Sequence, residues 1–347
     1  MISLDPRFEE DFKKIRDSGF EPGRVVSQTV TYEVATESGD YAAQAAGKLL
    51  FSGMLPAVGD WVALQVYEGG AIIHDIVPRK TVIMRKSVGK SSADQVIAAN
   101  LDYAVVVMGL DSNFNLRRLE RYTTIIAASG ARGIIVLSKA DLADPEEIKM
   151  KVEHTIACAP GLPVIVWSDA DKRGLGELMA ILRGPATFCL LGSSGAGKST
   201  LINAIAGKPI ARTGAVRTSD EKGKHTTTVR TLISLGNGID LIDNPGMREI
   251  GLTSEEGLSD AFPEITQAAA ECKFQDCTHE NEPGCAVELA VQEGRITAER
   301  FASYMRLLHE SRTIESMKSE RGRQKKKQNE KTLAKMIRAR LKDKGRS

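Results

Sequence analysis

A glycine-rich segment near the middle of the chain has the residue types and spacing of a phosphate-binding loop. Residues 192–199 fit the pattern G-x-x-x-x-G-K-[ST], between a predicted buried strand (188–191) and a predicted helix (201–206). Glycines let backbone N–H groups wrap a phosphate at the positive end of a helix. Lys198 would then reach the β- and γ-phosphates, and the Ser199 hydroxyl would ligate Mg²⁺. The predicted nucleotide contacts are Gly192, Ser193, Ser194, Gly195, Ala196, Gly197, Lys198, Ser199 and Thr200.

A second motif follows a strand predicted over 133–137 and consists of Ser138, Lys139, Ala140 and Asp141. It resembles the [NT]-K-x-D base motif of GTPases. The carboxylate there accepts the N1–H and amino hydrogens of guanine, and the lysine stem covers the base plane. Adenine has an acceptor at N1, so a carboxylate would repel it. Ser138 replaces the usual Asn or Thr, which braces this loop against the phosphate loop, and its side chain reaches less far.

Ser168 follows the next predicted strand (164–167), where GTPases often use a backbone amide to support guanine. It is therefore included among the predicted GTP contacts. The match to the usual Ser-Ala is poor, because Asp169 stands where alanine is usual. Its carboxylate could also repel guanine O6.

Two segments beyond the phosphate loop could complete a magnesium and γ-phosphate site. Residues 243–246 fit D-x-x-G, in which Asp243 would face the Mg²⁺ water shell and the Gly246 amide the γ-phosphate. Threonines follow His225, and Thr227 or Thr228 is predicted to close over Mg²⁺ when the triphosphate is bound. A plain threonine-rich turn is the alternative for that stretch. Met247 is apolar where many GTPases carry the glutamine that orients water.

Cys272, Cys277, His279 and Cys285 form a compact set of metal-ligand types. Three thiols and one imidazole make a complete tetrahedral zinc set, so one closed, structural Zn²⁺ is expected. Unrelated cysteines and a catalytic zinc are the alternatives. Five cysteines in 347 residues fit a reducing cytosol better than a disulfide framework.

Composition indicates a globular chain of two or three domains without a membrane span or a signal peptide. The net charge of +2 conceals a basic end, because residues 318–347 hold 13 Lys and Arg against 3 Asp and Glu. This tail is the expected contact with a polyanion, with a solvated helix as the alternative.

Five short β-rich runs between residues 23 and 76, separated by glycine-containing turns, predict a closed OB-type barrel. The runs are 23–26, 32–34, 47–51, 60–64 and 71–76. Aromatic residues in this region could stack on RNA bases, but each is better explained as barrel core; they are Tyr32, Tyr41, Phe51 and Trp61. From residue 101 onward, strands alternate with helices predicted over 116–129, 145–157 and 175–182, which predicts a parallel α/β sheet.

The predicted fold class is a multi-domain chain with an OB-type barrel, a P-loop GTPase domain and a zinc-binding helical domain. The predicted boundaries are an N-terminal extension (1–22, with a helix over 6–18), the barrel (23–86), the GTPase domain (95–253) and the zinc domain with its basic tail (254–347). Helices are also expected over 298–313 and 331–344.

The order of the motifs is unusual, because the base motif precedes the phosphate loop and the D-x-x-G motif comes last. Such a circularly permuted domain, with a barrel before it and the Cys-x4-Cys-x-His-x5-Cys set after it, resembles the ribosome small subunit-dependent GTPase A family. The resemblance covers about residues 20–310, with departures at Ser138, Asp169 and Asn244.

This resemblance implies a cytoplasmic, monomeric GTPase that acts late in maturation of the small ribosomal subunit. The subunit and its rRNA would stimulate hydrolysis of GTP to GDP and phosphate, and hydrolysis would release the protein. The residue matching His225 would orient the attacking water. Two rivals remain open: a P-loop ATPase or small-molecule kinase, and an RNA-binding assembly factor whose degenerate nucleotide site does not hydrolyse GTP.

Overall fold

The computed structural model describes residues 2, 4–85, 95–211, 230–236, 238–243 and 255–316. These residues divide into two compact units. The first takes its members from 1–85, 96–251 and 256–263, and the second contains the described residues from 264 onward together with Gln95 and Glu255.

Five strands of the first unit close into a barrel. They are β1 (Glu21–Gln28), β2 (Tyr32–Thr36), β3 (Asp40–Ala45), β4 (Trp61–Tyr67) and β5 (Gly70–Ile76). Hydrogen bonding runs β1–β2–β3–β5–β4 and returns from β4 to β1, with β3 and β5 parallel. The interior is aliphatic and includes Val25, Val34, Val62, Leu64 and Ile73. A Cβ on Gly23 would lie 2.6 Å from Val34 Cγ1, so β1 needs glycine at this crossing. The predicted closed barrel is confirmed.

One predicted barrel strand is wrong. Residues 47–51 lie in helix α2 (Gly47–Ser52), and the third strand is β3, which the sequence analysis missed. The run in α2 lacks β-branched side chains and buries only Leu49, whereas Leu50 is 61% and Phe51 97% exposed. Of the aromatics expected in the barrel core, Tyr32 is buried there, whereas Trp61 is buried in a separate cluster and Phe51 is exposed.

The N-terminal segment packs against the barrel. A 3₁₀ turn (Pro6–Phe8) leads into α1 (Glu9–Asp17), in agreement with the predicted helix. Phe8 and Phe12 form a buried cluster with Trp61 and Val77. The Phe12 and Trp61 rings meet edge to face, with centroids 4.9 Å apart, a favourable aromatic geometry.

A parallel sheet occupies the rest of the first unit. Along the chain, β6 (Val82–Arg85) and β7 (Gln95–Ala99) form a two-stranded sheet. There follow β8 (Tyr103–Gly109), α3 (Leu116–Ser129), β9 (Arg132–Ser138), α4 (Pro145–Cys158), β10 (Val164–Val166), α5 (Leu175–Ile181), β11 (Ala186–Leu191), α6 (Lys198–Ala206), β12 (Arg230–Gly236) and β13 (Ile239–Asp243). The order is β10–β9–β8–β11–β13–β12, with only β12 antiparallel to its neighbour β13 among these described strands. Strands β6, β7 and β12 were not predicted.

The barrel strands and the α/β strands of the first unit form one continuous sheet. Barrel strand β1 pairs antiparallel with β12, and Ser27 lies opposite Thr231. Beside this junction the buried Arg24 donates from Nη2 to Thr187 Oγ1 of β11 at 2.6 Å and from Nη1 to Asp240 Oδ2 of β13 at 3.2 Å. Its guanidinium also stacks on Trp61, with 5.2 Å between Cζ and the ring centroid. The barrel is therefore bonded to three strands of the α/β sheet.

The remaining elements are helical. Helix α7 (Leu258–Ala261) packs against α3 in the first unit. The second unit contains α8 (Pro263–Ala269) except for its first residue, α9 (Ala286–Gln292) and helical residues 298–316. Arg300 Nε bonds Glu264 Oε1 at 2.7 Å and so ties the last helix to α8. The predicted helix over 298–313 is confirmed, whereas the basic tail and the helix over 331–344 lie outside the described residues. No helix in the described part of the chain is long and apolar enough to cross a membrane.

Candidate nucleotide site and metal centre

The phosphate loop joins a buried strand to a helix, as its sequence requires. Strand β11 is buried throughout, and α6 begins at Lys198. A Cβ on Gly192 would lie 2.3 Å from the Val107 carbonyl oxygen, so only glycine fits beside β8. Gly197 caps α6 with a φ of 92°, a left-handed conformation that glycine adopts without strain. Lys198 Nζ crosses the loop and donates to the carbonyls of Gly192 at 2.7 Å and Ser193 at 2.6 Å.

The base motif lies at the carboxyl end of β9 and contacts the phosphate loop directly. Ser138 is fully buried, and its hydroxyl donates to the Ala196 carbonyl at 2.6 Å. A Cβ on Gly197 would lie 3.4 Å from this hydroxyl, so the loop passes close enough for serine to reach. The bracing contact expected from Asn or Thr is therefore made here by the shorter side chain.

The other residues on the base side of the site differ in solvent exposure. Ala140 is buried, and its amide donates to the Trp167 carbonyl at 3.3 Å, whereas Asp141 is exposed. Ser168 is buried next to this contact. Asp169, the residue expected to oppose guanine, forms an exposed ion pair with Lys172 at 2.6 Å.

Asp243 ends β13 at the same edge of the sheet. Strand β13 runs parallel to β11, with Ile242 opposite Cys189, so the exposed Asp243 and the phosphate loop both follow the carboxyl ends of neighbouring strands. Ser199 lies in the first turn of α6. His225, Thr227, Thr228 and Gly246 lie outside the described residues, so their predicted roles stay predictions, as do those of the described GTP contacts.

Two residues of this region were missed by the sequence analysis. Asp111 and Asn113 follow β8, at the edge where the phosphate loop and the base motif begin. Asp111 accepts a hydrogen bond from Lys139 of the base motif, and Asn113 accepts one from Ser193 of the phosphate loop. A signal was present, because a polar Asp-Ser-Asn run directly follows a buried strand, and ligands bind at the carboxyl ends of parallel strands.

The four metal-ligand types lie together in the second unit. The thiol sulfurs of Cys272, Cys277 and Cys285 and a ring nitrogen of His279 all lie within 4.8 Å of one another. His279 Nδ1 is 3.7 Å from Cys272 Sγ and 3.4 Å from Cys285 Sγ. Tetrahedral zinc places sulfur and nitrogen ligands about 3.5 Å apart, so the cluster fits one Zn²⁺.

The surrounding residues hold the ligands in place. Glu282 accepts hydrogen bonds from the amides of Thr278 at 2.7 Å and His279 at 3.3 Å, and the Glu288 amide donates to Cys285 Sγ at 3.4 Å. Burial lowers the pKa of His279 from its ordinary value, which favours the neutral imidazole that binds metal. The four side chains would fill all four positions of a tetrahedral zinc and leave none for water or substrate, which is typical of structural zinc sites.

Comparisons with known proteins agree with this arrangement. A family model described as RsgA GTPase matches residues 76–253. A model described as ABC transporter matches 182–336, a range that includes the phosphate loop common to P-loop NTPases.

Curated relatives extend the similarity to most of the chain. A Leptospira interrogans protein named small ribosomal subunit biogenesis GTPase RsgA is 42% identical over 339 residues, covering 94% of this chain and 92% of that protein. A relative of the same name from Methanosarcina acetivorans is 46% identical over 305 residues, covering 86% and 82%.

Solved structures share the fold. YjeQ from Thermotoga maritima has a TM-score of 0.63 at 26% identity, covering 84% of this chain and 98% of that one. YloQ, described as a circularly permuted GTPase, has a TM-score of 0.61 at 23% identity, covering 85% and 96%. The predicted fold class is confirmed, and the chain is a circularly permuted GTP hydrolase that belongs to the RsgA GTPase family.

Proposed function

We propose that this GTPase binds the small ribosomal subunit during late maturation, that the subunit stimulates GTP hydrolysis, and that hydrolysis releases the protein. The observation that carries the nucleotide part is the 2.6 Å bond from Ser138 Oγ to the Ala196 carbonyl. It joins a guanine-type motif to a phosphate loop, so that one nucleotide can span both. The ribosomal part is supported by the names of the relatives, which are small ribosomal subunit biogenesis GTPases.

Guanine selection is assigned to the base motif. Asp141 is exposed at the loop surface, where its carboxylate can accept the N1–H and amino hydrogens of guanine. Lys139 covers the base, and the Ser168 region supports its other edge. This donor-acceptor pattern disfavours ATP, which is the substrate of the ATPase and kinase alternative.

Phosphoryl transfer is assigned to the phosphate-loop edge of the sheet. Lys198 stabilises the charge that develops on the β- and γ-phosphates, and the loop amides from Gly192 to Thr200 hold the phosphate oxygens. Ser199 and Asp243 offer the hydroxyl and carboxylate oxygens that magnesium prefers, with Thr227 or Thr228 and the Gly246 amide completing the site. Mg²⁺ held by these residues would neutralise charge on the phosphates. His225 holds the attacking water in line, since Met247 cannot.

RNA contact is assigned to the barrel, the zinc-binding region and the basic tail. The chain would act as a monomer in the cytoplasm, organised as extension (1–22), barrel (23–86), GTPase domain (95–253) and zinc domain with tail (254–347). The tail's excess of lysine and arginine over residues 318–347 favours phosphate contacts that weaken with salt.

The decisive measurement is GTP turnover with and without purified small subunits. We expect slow turnover alone and a large acceleration with small subunits, with no acceleration by large subunits as the control. Titration with GTP and ATP tests base choice in the same preparation. GTP binding without turnover in the presence of small subunits would favour the non-hydrolysing assembly factor. The Ser138 contact weighs against that alternative, because it makes the bracing bond that the replacement of Asn or Thr by serine put in doubt.

A further inference from the structure

A short loop after β8 lies between the base motif and the phosphate loop. It starts at Leu110, whose amide donates to the Ser138 carbonyl at 2.9 Å and whose carbonyl accepts from Lys151 Nζ at 2.6 Å. It ends at Asn115, whose side chain caps α3 by accepting from the Arg118 amide at 2.9 Å. Both ends of the loop are therefore fixed, which holds the residues between them in place.

Asp111 in this loop forms the only ion pair of Lys139 among the described residues. Lys139 Nζ lies 2.6 Å from Asp111 Oδ2, and the two side chains are 28% and 29% exposed. Asp111 Oδ1 accepts from the Asn113 amide at 3.0 Å. Burial opposes ionisation of this carboxyl, but the hydrogen bonds from Lys139 and Asn113 outweigh it and hold the pKa of Asp111 below its ordinary value. The carboxylate is therefore charged at neutral pH and faces the lysine.

Asn113 extends this contact to the phosphate loop. Its Nδ2 donates to Asp111 Oδ1 at 3.2 Å, and its Oδ1 accepts from the Ser193 hydroxyl at 3.2 Å. One orientation of the amide satisfies both bonds, since the carboxylate can only accept and the hydroxyl can donate. A chain of side chains thus runs from Lys139 through Asp111 and Asn113 to Ser193.

We propose that Asp111 is a positioning residue for nucleotide binding: it holds the Lys139 stem in place over the guanine plane, while Asn113 fixes Asp111 to the phosphate loop. A free lysine side chain loses roughly 2 kcal/mol of rotamer entropy when it is immobilised. The ion pair meets part of that cost before the nucleotide arrives. The proposal rests on the guanine site described above and adds two residues that the motifs do not contain.

A double-mutant cycle between Asp111 and Lys139 tests the proposal. Asp111→Asn keeps the size of the side chain and removes its charge, and Lys139→Met keeps much of the stem and removes the ammonium group. Affinities for GDP and GTP are measured by titration with fluorescent analogues in the presence of Mg²⁺. We expect Asp111→Asn to weaken both by about three- to fivefold, as for loss of one partly exposed ion pair worth just under about 1 kcal/mol. The turnover rate of Asp111→Asn at saturating GTP should stay within twofold of the wild-type rate, which separates an effect on affinity from one on the chemical step.

The cycle separates positioning from general support of the fold. If Asp111 acts through Lys139, adding Asp111→Asn to Lys139→Met should change affinity by less than twofold. A full three- to fivefold loss in that background would show that Asp111 does not act through Lys139 and would overturn the proposal; a lowered melting temperature of the same variant would assign Asp111 a structural role. Asp144→Asn is the matched control, because Asp144 is exposed near the base motif and has no ion pair among the described residues. It should leave affinity unchanged.

The wild-type titration separates this inference from the guanine site on which it rests. Wild-type protein that binds neither GDP nor GTP would refute both. Wild-type protein that binds both nucleotides, with Asp111→Asn within 1.5-fold of its affinity, would refute only the role of Asp111.

Discussion

Arg24 should contribute strongly to the stability of the first unit, and Arg24→Met tests this. The guanidinium lies between barrel strands and the two strands that lead to the phosphate loop and Asp243. It is buried, donates to Thr187 Oγ1 at 2.6 Å, and bonds Asp240 Oδ2 at 3.2 Å. Methionine fills similar space but leaves the Asp240 carboxylate without its cation and Thr187 without its donor.

The expected cost is about 2–4 kcal/mol of unfolding free energy at neutral pH. Removing one partner of a fully buried pair typically costs ~3–5 kcal/mol. The Asp240 side chain is 22% exposed, so water can solvate it in part and the lower end applies. Arg24 Nε has no hydrogen-bond partner among the described residues, so its own burial is incompletely compensated. That also reduces what the wild-type pair contributes.

The unfolding free energy lost in Arg24→Met should depend on pH. Burial raises the pKa of Asp240 above its ordinary value of 3.8, and Arg24 opposes that rise. Without Arg24 the folded-state pKa rises further, so keeping the carboxylate ionised costs more above that pKa. The destabilisation of Arg24→Met should therefore be full at neutral pH and decrease as the pH falls through the raised pKa toward 3.8.

Urea unfolding followed by tryptophan fluorescence measures the effect in the right unit. The chain has two tryptophans, Trp61 and Trp167, and both are buried in the first unit. Arg16→Met is the control, because Arg16 forms an exposed ion pair with Glu37 and should lose less than about 1 kcal/mol. A loss below 1 kcal/mol for Arg24→Met, or one independent of pH, would refute the reasoning.

Four further predictions concern the two proposed sites. Ser138→Ala should weaken GTP binding about five- to tenfold in a titration, because it leaves the buried Ala196 carbonyl unbonded; Ser138→Thr should preserve binding. Asp141→Asn should shift the preference from GTP to xanthosine triphosphate, whose C2 oxygen needs a donor; an unchanged preference would contradict the base assignment. Elemental analysis should find one Zn²⁺ per chain, and Cys277→Ser or chelation should lower the thermal stability of the helical second unit. His225→Ala should keep GTP affinity but lose most subunit-stimulated turnover; a stimulated rate within about twofold of wild type would assign the water to another group.

Elements with strong local signals were predicted well. Helix α3 occupies 116–129 as predicted, because its amphipathic pattern is bounded by the Asn115 cap and by Gly130 with a φ of 75°. The strands preceding the base motif and the phosphate loop were also predicted, since each is a continuous buried run. The four zinc-type ligands were identified from their spacing and lie together.

Elements whose formation depends on distant partners were missed. Strand β3 contains three alanines, which carry little strand preference, and it forms because β2 and β5 lie on either side of it. Strand β12 buries one residue, Leu235, so it lacks the alternation of buried and exposed side chains that marks a half-buried strand. Asp111 was missed for the same reason, because its partner Lys139 is 28 positions away in the sequence.

The missed strand β12 is also the element that makes the barrel and the GTPase sheet one structure. It is hydrogen-bonded on one side to β13, which ends at Asp243, and on the other to barrel strand β1. Arg24 lies on that same β1 and bonds the neighbouring β11 and β13 through their side chains. Displacing the barrel would require breaking both the β1–β12 hydrogen bonds and the buried Arg24 contacts, and a buried group left without its partner is costly. The barrel and the strands that carry the nucleotide residues are therefore expected to move together, and Arg24→Met should weaken that connection while leaving each sheet's own hydrogen bonds intact.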